Sequence, residues 1–198
     1  MSATVKLDSG QRELDDRRDR HLIIGAGFVG LGMAQALQVA QIAYDQVDAS
    51  DAIGGNWYHG VYEMAHIISS KKVTQFSHFP MPDHYPDFPS ARQMRDYLWS
   101  FADAYQLRDR IELNRTVTYV RPVEQNHWEV TFANGEQRLY QGVLLCNGHH
   151  WNQRWPEFQG RFNGEILHSK DYKKPDQLRG KKVLVIGGGN SACDVAAE

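Results

Sequence analysis

The pattern of apolar and polar positions predicts a strand, a tight turn and a helix over residues 21–34. An apolar run ends at Ile24, breaks into glycines, and resumes with helix-compatible residues. A second apolar run over residues 42–47 predicts the next strand. This order is typical of an α/β domain built on a parallel sheet.

The middle of the chain alternates between irregular, helical and strand patterns. Residues 73–89 are rich in proline and aromatic side chains and predict an irregular ordered segment. Ser90 is a predicted N-cap for an amphipathic helix over residues 91–107, where apolar positions recur at helical spacing. Alternating runs around Asn134-Gly135 then predict an antiparallel meander. Its segments are 111–114, 116–120, 128–132 and 137–140, and a continuous apolar run over 142–148 predicts a buried strand that returns to the first sheet.

Changes in composition divide the chain into four segments. Residues 1–20 carry alternating charges and predict a solvated leader with a frayed helical turn. Residues 21–150 form the predicted main domain, and the polar, proline-bearing residues 151–180 form a connection. Residues 181–198 repeat the opening pattern of an apolar strand, a glycine turn and a helix. The sequence ends within that helix. We therefore expect a part of a longer protein.

Glycines in the first turn have the spacing of a dinucleotide-binding motif. Gly25, Gly27 and Gly30 stand at G-x-G-x-x-G positions, where the first allows the turn, the second lets a pyrophosphate approach the backbone, and the third lets helix and strand pack closely. Asp48 follows the second strand, 23 positions after Gly25, where a carboxylate can accept hydrogen bonds from a ribose.

A second glycine motif makes the nucleotide hypothesis stronger. Gly187, Gly189 and Ala192 stand at G-x-G-x-x-A spacing after an apolar run, 162 positions beyond Gly25 (187 minus 25). Two such motifs predict two dinucleotides, of which a flavin and a nicotinamide nucleotide are the natural pair. The predicted fold is therefore α/β, with a Rossmann-like domain that carries a small antiparallel meander, followed by the start of a second Rossmann-like domain.

The loop around Gly54-Gly55 carries bulky aromatic residues and has two interpretations. Trp57 could fill the edge of the core, or the glycine pair could let the backbone lie against a flat cofactor ring. His149 and His150 have no third ligand at metal-binding spacing nearby, so no metal site is predicted.

Composition excludes several classes of partner. The 198 residues are 41% hydrophobic with a net charge of -2, so no basic surplus indicates binding to nucleic acid or to an anionic membrane. The sequence has no apolar stretch of the roughly 20 residues that span a bilayer, and its N-terminus is charged. A cytoplasmic location is expected.

Four residues between the two glycine motifs carry a resemblance to a known family. Phe162, Gly164, His168 and Tyr172 match the F-x-G-x-x-x-H-x-x-x-[YF] fingerprint of the flavin-containing monooxygenases. The glycine motifs, the GGNW loop, FSHFPMP and GGGNSACDVAAE resemble that family in the same order, so the resemblance covers nearly everything from residue 21 to residue 198.

This resemblance implies a class B monooxygenase that uses FAD, NADPH and O2. Such an enzyme transfers one oxygen atom from a C4a-hydroperoxyflavin to a small nucleophilic substrate, and the hard chemistry belongs to the flavin. The resemblance implies FAD contacts for Gly25, Gly27, Gly30, Asp48, Gly55, Asn56, Trp57, Val117 and Gly148. It implies nicotinamide-nucleotide contacts for Gly187, Gly189, Asn190 and Ser191, and a hinge between domains for the fingerprint residues. A homodimer is compatible with it.

One departure from the family leaves the catalytic residues unassigned. Many members have an asparagine ahead of the S-x-K segment, where it donates a hydrogen bond near the reactive edge of the flavin, and Ile68 stands there in this chain. Isoleucine cannot donate, so Ser69 or Ser70 replaces that contact or the stabilisation is weaker.

Three other functions compete with N- or S-oxygenation. A flavin-dependent disulfide reductase also has two dinucleotide motifs, but it needs a cysteine pair near the flavin, and Cys146 and Cys193 lie far apart. A Baeyer–Villiger monooxygenase usually ends the fingerprint with tryptophan, whereas this chain has Tyr172. The 198 residues alone could also form a nucleotide-binding module without turnover.

Overall fold

A computed structural model describes residues 3–5 and 14–198. Contacts divide the chain into two compact units. The first unit contains the described residues up to Gly55 together with Tyr97–Gly148, and the second contains Asn56–Asp96 and His149–Glu198. The predicted 21–150 domain included residues 56–96, which the contacts group with the C-terminal segment instead. The assignment of cofactors to domains stays a prediction.

A mixed sheet forms the centre of the first unit. Within the described residues its strands are β1 (Ala3–Val5), β2 (Leu14–Ile24), β3 (Tyr44–Val47), β4 (Ile111–Glu112), β5 (Val117–Val123), β6 (His127–Phe132) and β7 (Gln137–Leu145). Their order is β4-β3-β2-β7-β6-β5, with β1 paired to β2. Strand β2 pairs in parallel with β3 and β7, and β3 pairs in parallel with β4. Strands β5, β6 and β7 pair in antiparallel order.

The helices are α1 (Phe28–Val39), α2 (Lys71–Thr74), α3 (Ala91–Ala104) and α4 (Asn190–Ala197). Single helical turns occur at Asn56–Gly60, Arg108–Arg110, Glu124–Asn126 and Pro175–Gln177. Helix α1 connects the parallel strands β2 and β3. The predicted α/β, Rossmann-like fold class with an antiparallel meander is thus confirmed.

The capping of α3 agrees with the sequence pattern. The Ser90 hydroxyl accepts a hydrogen bond from the Gln93 N–H at 3.3 Å, and Gln93 Oε1 accepts one from the Ser90 N–H at 2.9 Å. This reciprocal pair is a capping box. The helix ends three residues before the predicted end, in a turn where Gln106 has a φ of 54°.

The predicted charged leader was wrong for residues 3–5 and 14–20, which belong to β1 and β2; residues 1, 2 and 6–13 lie outside the described part. Charged side chains enter this strand because partners on neighbouring strands neutralise them. Arg17 Nη1 lies 2.6 Å from Asp45 Oδ2 on β3. The nearly buried Arg138 on β7 pairs with Glu112 on β4, with 2.7 Å between Nη1 and Oε1. In the same sheet Leu22, Val47, Val130, Phe132 and Tyr140 form a buried hydrophobic cluster.

Three other strand predictions need correction. Residues 111–114 were placed in the meander, but Ile111–Glu112 is the parallel neighbour of β3. The separate runs at 137–140 and 142–148 join in one strand, β7, which pairs with both β6 and β2 and ends at Leu145. The second run was predicted to be buried, but its strand residues are half-buried or exposed, with Leu145 68% exposed. The apolar run at 181–186 is not a strand, since no described strand offers it hydrogen-bond partners; Leu184 is 82% exposed.

The second unit has little regular structure apart from its helices. Its buried residues Tyr62, Ala65, Ala91 and Tyr172 pack together, with Trp57, Val61, Leu167, Leu178 and Val195 against them. We call this group the tyrosine cluster.

Candidate dinucleotide-binding sites

The glycines of the first motif differ in the space around them. Gly25 has a φ of 115°, and a Cβ built there would lie 2.3 Å from the Cys146 carbonyl oxygen. A Cβ on Gly30 would lie 2.0 Å from the Gly25 oxygen. The turn therefore requires both glycines for its own packing. At Gly27 a Cβ would meet only the Gly55 backbone, at 3.6 Å, which is an ordinary contact.

Asp48 lies beside this turn at the end of β3. Its Oδ2 accepts a hydrogen bond from the Ala26 N–H at 2.5 Å, and its Oδ1 accepts one from the Ser50 N–H at 2.8 Å. The side chain is half-buried. A carboxylate has about four acceptor positions, so two remain for other donors. The structure thus brings Asp48 to the glycine turn, and its ribose contact stays a prediction.

The Gly54-Gly55 loop packs on the same turn. The Gly54 N–H donates to the Ala26 carbonyl at 2.9 Å, and Gly55 has a φ of 56°. A Cβ on Gly55 would lie 3.1 Å from the Gly27 Cα, which is tight. Close backbone approach, rather than a turn alone, therefore explains this glycine pair.

Asn56 and Trp57 open the second unit, in a single π-helical turn where the sequence had predicted a loop. Asn56 Nδ2 donates to the His149 carbonyl at 2.7 Å. Trp57 packs against the tyrosine cluster, as in the first of its two interpretations. Val117 begins β5 opposite Phe132, and Gly148 ends the first unit with a φ of 71°. The flavin contacts predicted for these residues stay predictions.

Ile68, at the position of the family asparagine, and the alternative donors Ser69 and Ser70 lie directly before α2. Ile68 is 71% exposed. The Ser69 hydroxyl lies 2.6 Å from the Thr74 hydroxyl, and Ser70 is the N-cap of α2. Lys71 Nζ donates to the carbonyls of Pro82, Asp83 and Tyr85, at 3.3, 3.0 and 2.7 Å. This lysine therefore holds the proline-rich loop in place, a role that the sequence did not reveal.

The fingerprint residues lie in the second unit and differ in burial. Phe162 is 69% exposed, and its ring is the nearest neighbour of Gly164. His168 is half-buried, with its Nδ1 accepting the Lys170 N–H at 3.1 Å and its ring 5.3 Å from that of Trp155. Tyr172 is 2% exposed, and its hydroxyl donates to Glu198. Tyr172 therefore packs in the interior of the second unit. The hinge role of the fingerprint stays a prediction.

The second glycine motif opens α4. Gly187 has a φ of 140°, and no atom lies within 4 Å of a Cβ built on Gly188 or Gly189. Gly189 is the N-cap of α4, and no side chain caps that end. Asn190 and Ser191 are the first residues of the helix, where backbone N–H groups favour an anion.

Asp194 on α4 has a partner that the sequence did not reveal. The Tyr62 hydroxyl donates a short hydrogen bond to its carboxylate. The signal in the sequence was the aspartate itself. A half-buried carboxylate among small residues needs a hydrogen-bond donor from elsewhere in the chain.

Metal ligation and membrane insertion receive no support from the described part of the chain. The residues described there contain no group of three or more His, Cys, Asp or Glu side chains that could hold a metal ion. His149 and His150 place their rings 4.0 Å apart. Over the same residues, each helix is too short or too polar to cross a bilayer.

The first glycine turn opens α1 between two parallel strands of the mixed sheet, as in dinucleotide-binding α/β proteins, and a second glycine turn opens α4. Residues 18–198 match the flavin-binding monooxygenase-like family. Flavin-containing monooxygenase 3 from Rattus norvegicus is 34% identical over 196 residues, covering 89% of this chain and 37% of that protein. The probable indole-3-pyruvate monooxygenase YUCCA9 from Arabidopsis thaliana is 34% identical, covering 100% of this chain and 49% of that protein.

The folds of solved structures agree with this family match. A flavin-containing monooxygenase from Stenotrophomonas maltophilia superposes with a TM-score of 0.82 at 28% identity, covering 92% of this chain and 55% of that one. The chain therefore belongs to the flavin-binding monooxygenase-like family, as its motifs predicted. It spans about half or less of the length of these relatives.

Proposed function

We propose that this chain supplies the FAD site and the start of the NADPH site of a monooxygenase that oxygenates nitrogen or sulfur in small nucleophilic substrates. The observation that carries the proposal is the first glycine turn. At Gly25 and Gly30 the packing of the turn itself leaves no room for a Cβ, whereas at Gly27 a Cβ would make only an ordinary contact with Gly55. That is the arrangement expected where a pyrophosphate approaches the backbone.

The residues around this turn fit an FAD molecule. Helix α1 begins after Gly27 with no side-chain cap and no acidic residue in its first turn, so the helix itself places no negative charge against a phosphate. Asp48 is anchored by the Ala26 and Ser50 N–H groups and keeps acceptor positions for ribose hydroxyls. Gly55 lies against Gly27 and continues the open backbone surface.

The second glycine turn fits a nicotinamide nucleotide. Gly188 and Gly189 have open space on the Cα, and α4 begins directly after them without an acidic first turn. Gly187, Gly189, Asn190 and Ser191 would hold the pyrophosphate there. With both cofactors bound, the nicotinamide supplies reducing equivalents and the flavin activates O2. The residues of this chain would bind and orient the cofactors and exclude water.

N- or S-oxygenation is supported by the resemblance of the fingerprint, which ends in Tyr172 rather than in the tryptophan usual for Baeyer–Villiger enzymes. Baeyer–Villiger oxidation of ketones is a second candidate. It is supported by a solved cyclohexanone monooxygenase, which superposes with a TM-score of 0.77 at 25% identity.

The test uses the purified full-length protein. We expect a bound-flavin absorption spectrum, and NADPH oxidation that yields oxygenated product from an amine or a sulfide. Product from a cyclic ketone alone would favour the second candidate. Binding of both nucleotides without product from any of the three substrates would indicate a nucleotide-binding module, and absence of flavin would contradict the proposal.

A further inference from the structure

Tyr62 connects the tyrosine cluster to helix α4. The residue is 8% exposed, and its ring lies 6.0 Å from that of Tyr172. Its hydroxyl donates a short hydrogen bond to Asp194, in the second turn of α4. Packing fixes the ring, so the hydroxyl is a fixed anchor for the helix.

Ser191, in the first turn of α4, is also an electrostatic neighbour of this hydroxyl. Ser191 and Asp194 are three positions apart and therefore lie on one face of the helix. The bond to Asp194 thus connects the face of α4 that carries Ser191 to the packed ring of Tyr62.

The Tyr62 phenol remains a donor throughout the physiological pH range. Burial first, and then the hydrogen bond to Asp194, raise the pKa of Tyr62 to about 12. The bond to Asp194 is therefore charge-assisted at neutral pH, and such bonds are about twice as strong as neutral ones.

We infer that Tyr62 is a positioning residue of the nicotinamide-nucleotide site: by holding Asp194, on the same helix face as Ser191, it orients the first turn of α4 toward the pyrophosphate. The inference rests on the proposed function, because it assumes that this turn binds the nucleotide. Tyr62 lies about 130 positions upstream of the motif, so no local sequence pattern connects the two.

The test is the affinity of the full-length, FAD-loaded protein for NADP+, measured by calorimetry. Tyr62→Phe removes one hydroxyl and keeps the ring, so we expect NADP+ to bind roughly tenfold more weakly. Flavin content should stay at the wild-type level, because the FAD motif lies in the first compact unit. Tyr85→Phe is the matched control, since it removes a half-buried phenol of the second unit whose charged neighbour is Asp96 rather than Asp194; its affinity should match wild type.

Variants of the partner residue separate positioning from general stability. Asp194→Ala should weaken NADP+ as much as Tyr62→Phe, and the double variant should be no weaker than either single variant. Asp194→Asn keeps an acceptor for the phenol, so it should recover most of the affinity.

Three results would overturn the inference: unchanged affinity in Tyr62→Phe, additive losses in the double variant, or a loss that appears only together with lower flavin content and a lower melting temperature. If the wild-type protein does not bind NADP+, the proposed function itself fails at this site. If the wild-type protein binds NADP+ and Tyr62→Phe binds it with the same affinity, only the positioning role is refuted.

Discussion

Asp48 Oδ2 accepts a hydrogen bond of 2.5 Å from the N–H of Ala26, the residue between the first two glycines of the opening motif. A carboxylate predicted to bind ribose is thus also part of the turn that would bind the pyrophosphate. The ribose-binding and pyrophosphate-binding parts of the predicted FAD site are therefore connected by a hydrogen bond. A substitution in either part is expected to alter the geometry of the other.

Asp48→Ala should weaken FAD binding by roughly ten- to a hundredfold, as expected for losing a charge-assisted hydrogen bond. Part of this loss comes from the turn, because the Ala26 N–H loses its acceptor. Asp48→Asn keeps one acceptor oxygen and should lose less than the alanine variant. Fluorescence titration of the apoprotein with FAD measures both. Equal affinity for wild type and Asp48→Ala would show that the carboxylate only caps the turn.

Gly27→Ala should abolish most flavin binding while the fold persists. The added Cβ would be 3.6 Å from the Gly55 Cα, so the protein tolerates it, but it would project where the pyrophosphate must approach. Gly27→Val adds two methyl groups and should remove flavin completely. Flavin absorbance after purification, with circular dichroism for the fold, measures the outcome.

Two other glycines serve as controls for this prediction. Gly30→Ala places a Cβ 2.0 Å from a backbone oxygen, so it should destabilise the protein by roughly 2–4 kcal/mol in addition to losing flavin. Gly188→Ala has open space and should keep normal flavin content. Normal flavin in Gly27→Ala would contradict the site.

Glu136 should make stability depend on pH. Burial raises its pKa, but hydrogen bonds from Arg115 and Arg138 prevail and lower it to about 2. Because the folded-state pKa lies below the unfolded one, the contribution is present at neutral pH and is lost as the pH falls from about 4 to about 2. With a third of the side chain exposed, we expect roughly 1–2 kcal/mol.

Urea unfolding of wild type and Glu136→Gln checks this. The variant should be less stable by that amount at neutral pH, and the difference should disappear near pH ~2. Glu157→Gln, at an exposed position, should differ little from wild type at either pH. A difference that persists at low pH would mean that packing, not charge, is lost.

Much of the fold, including the first glycine turn and the position of Asp48 beside it, could be predicted from local patterns. The motif around Gly25, the strand before Asp48 and the capping box at Ser90 each depend on neighbouring residues, which sequence spacing records. Strand β2 could not be predicted in full, because its charged half is stable only through partners such as Asp45 on another strand. The Tyr62 contact with Asp194 was missed for the same reason.

At residues 181–186 the local pattern predicted a strand that does not form. Its apolar residues have the right pattern, but a strand needs a neighbour that supplies hydrogen bonds, and the described chain has none beside Leu184. The pattern records a local preference, whereas the strand itself is a property of the sheet.

His168→Ala should uncouple NADPH oxidation from oxygenation, if the fingerprint acts as a hinge. His168 Nδ1 accepts the Lys170 N–H, and its carbonyl accepts the Tyr172 N–H at 3.2 Å, so the ring fixes the turn that leads to the buried tyrosine. Loosening this turn should misplace the nicotinamide and admit water, and the product formed per NADPH should fall severalfold while hydrogen peroxide rises.

His168→Asn provides the decisive comparison, because its Oδ1 can accept the Lys170 N–H in place of Nδ1. We expect it to restore much of the coupling, whereas the ring contact with Trp155 is lost in both variants. His84→Ala removes an exposed histidine of the same unit and should leave coupling unchanged. Product, NADPH and peroxide are measured together in the full-length protein. If His168→Ala keeps the wild-type ratio of product to NADPH at an unchanged rate, this histidine has no hinge role, and the fingerprint supports only the packing of Tyr172.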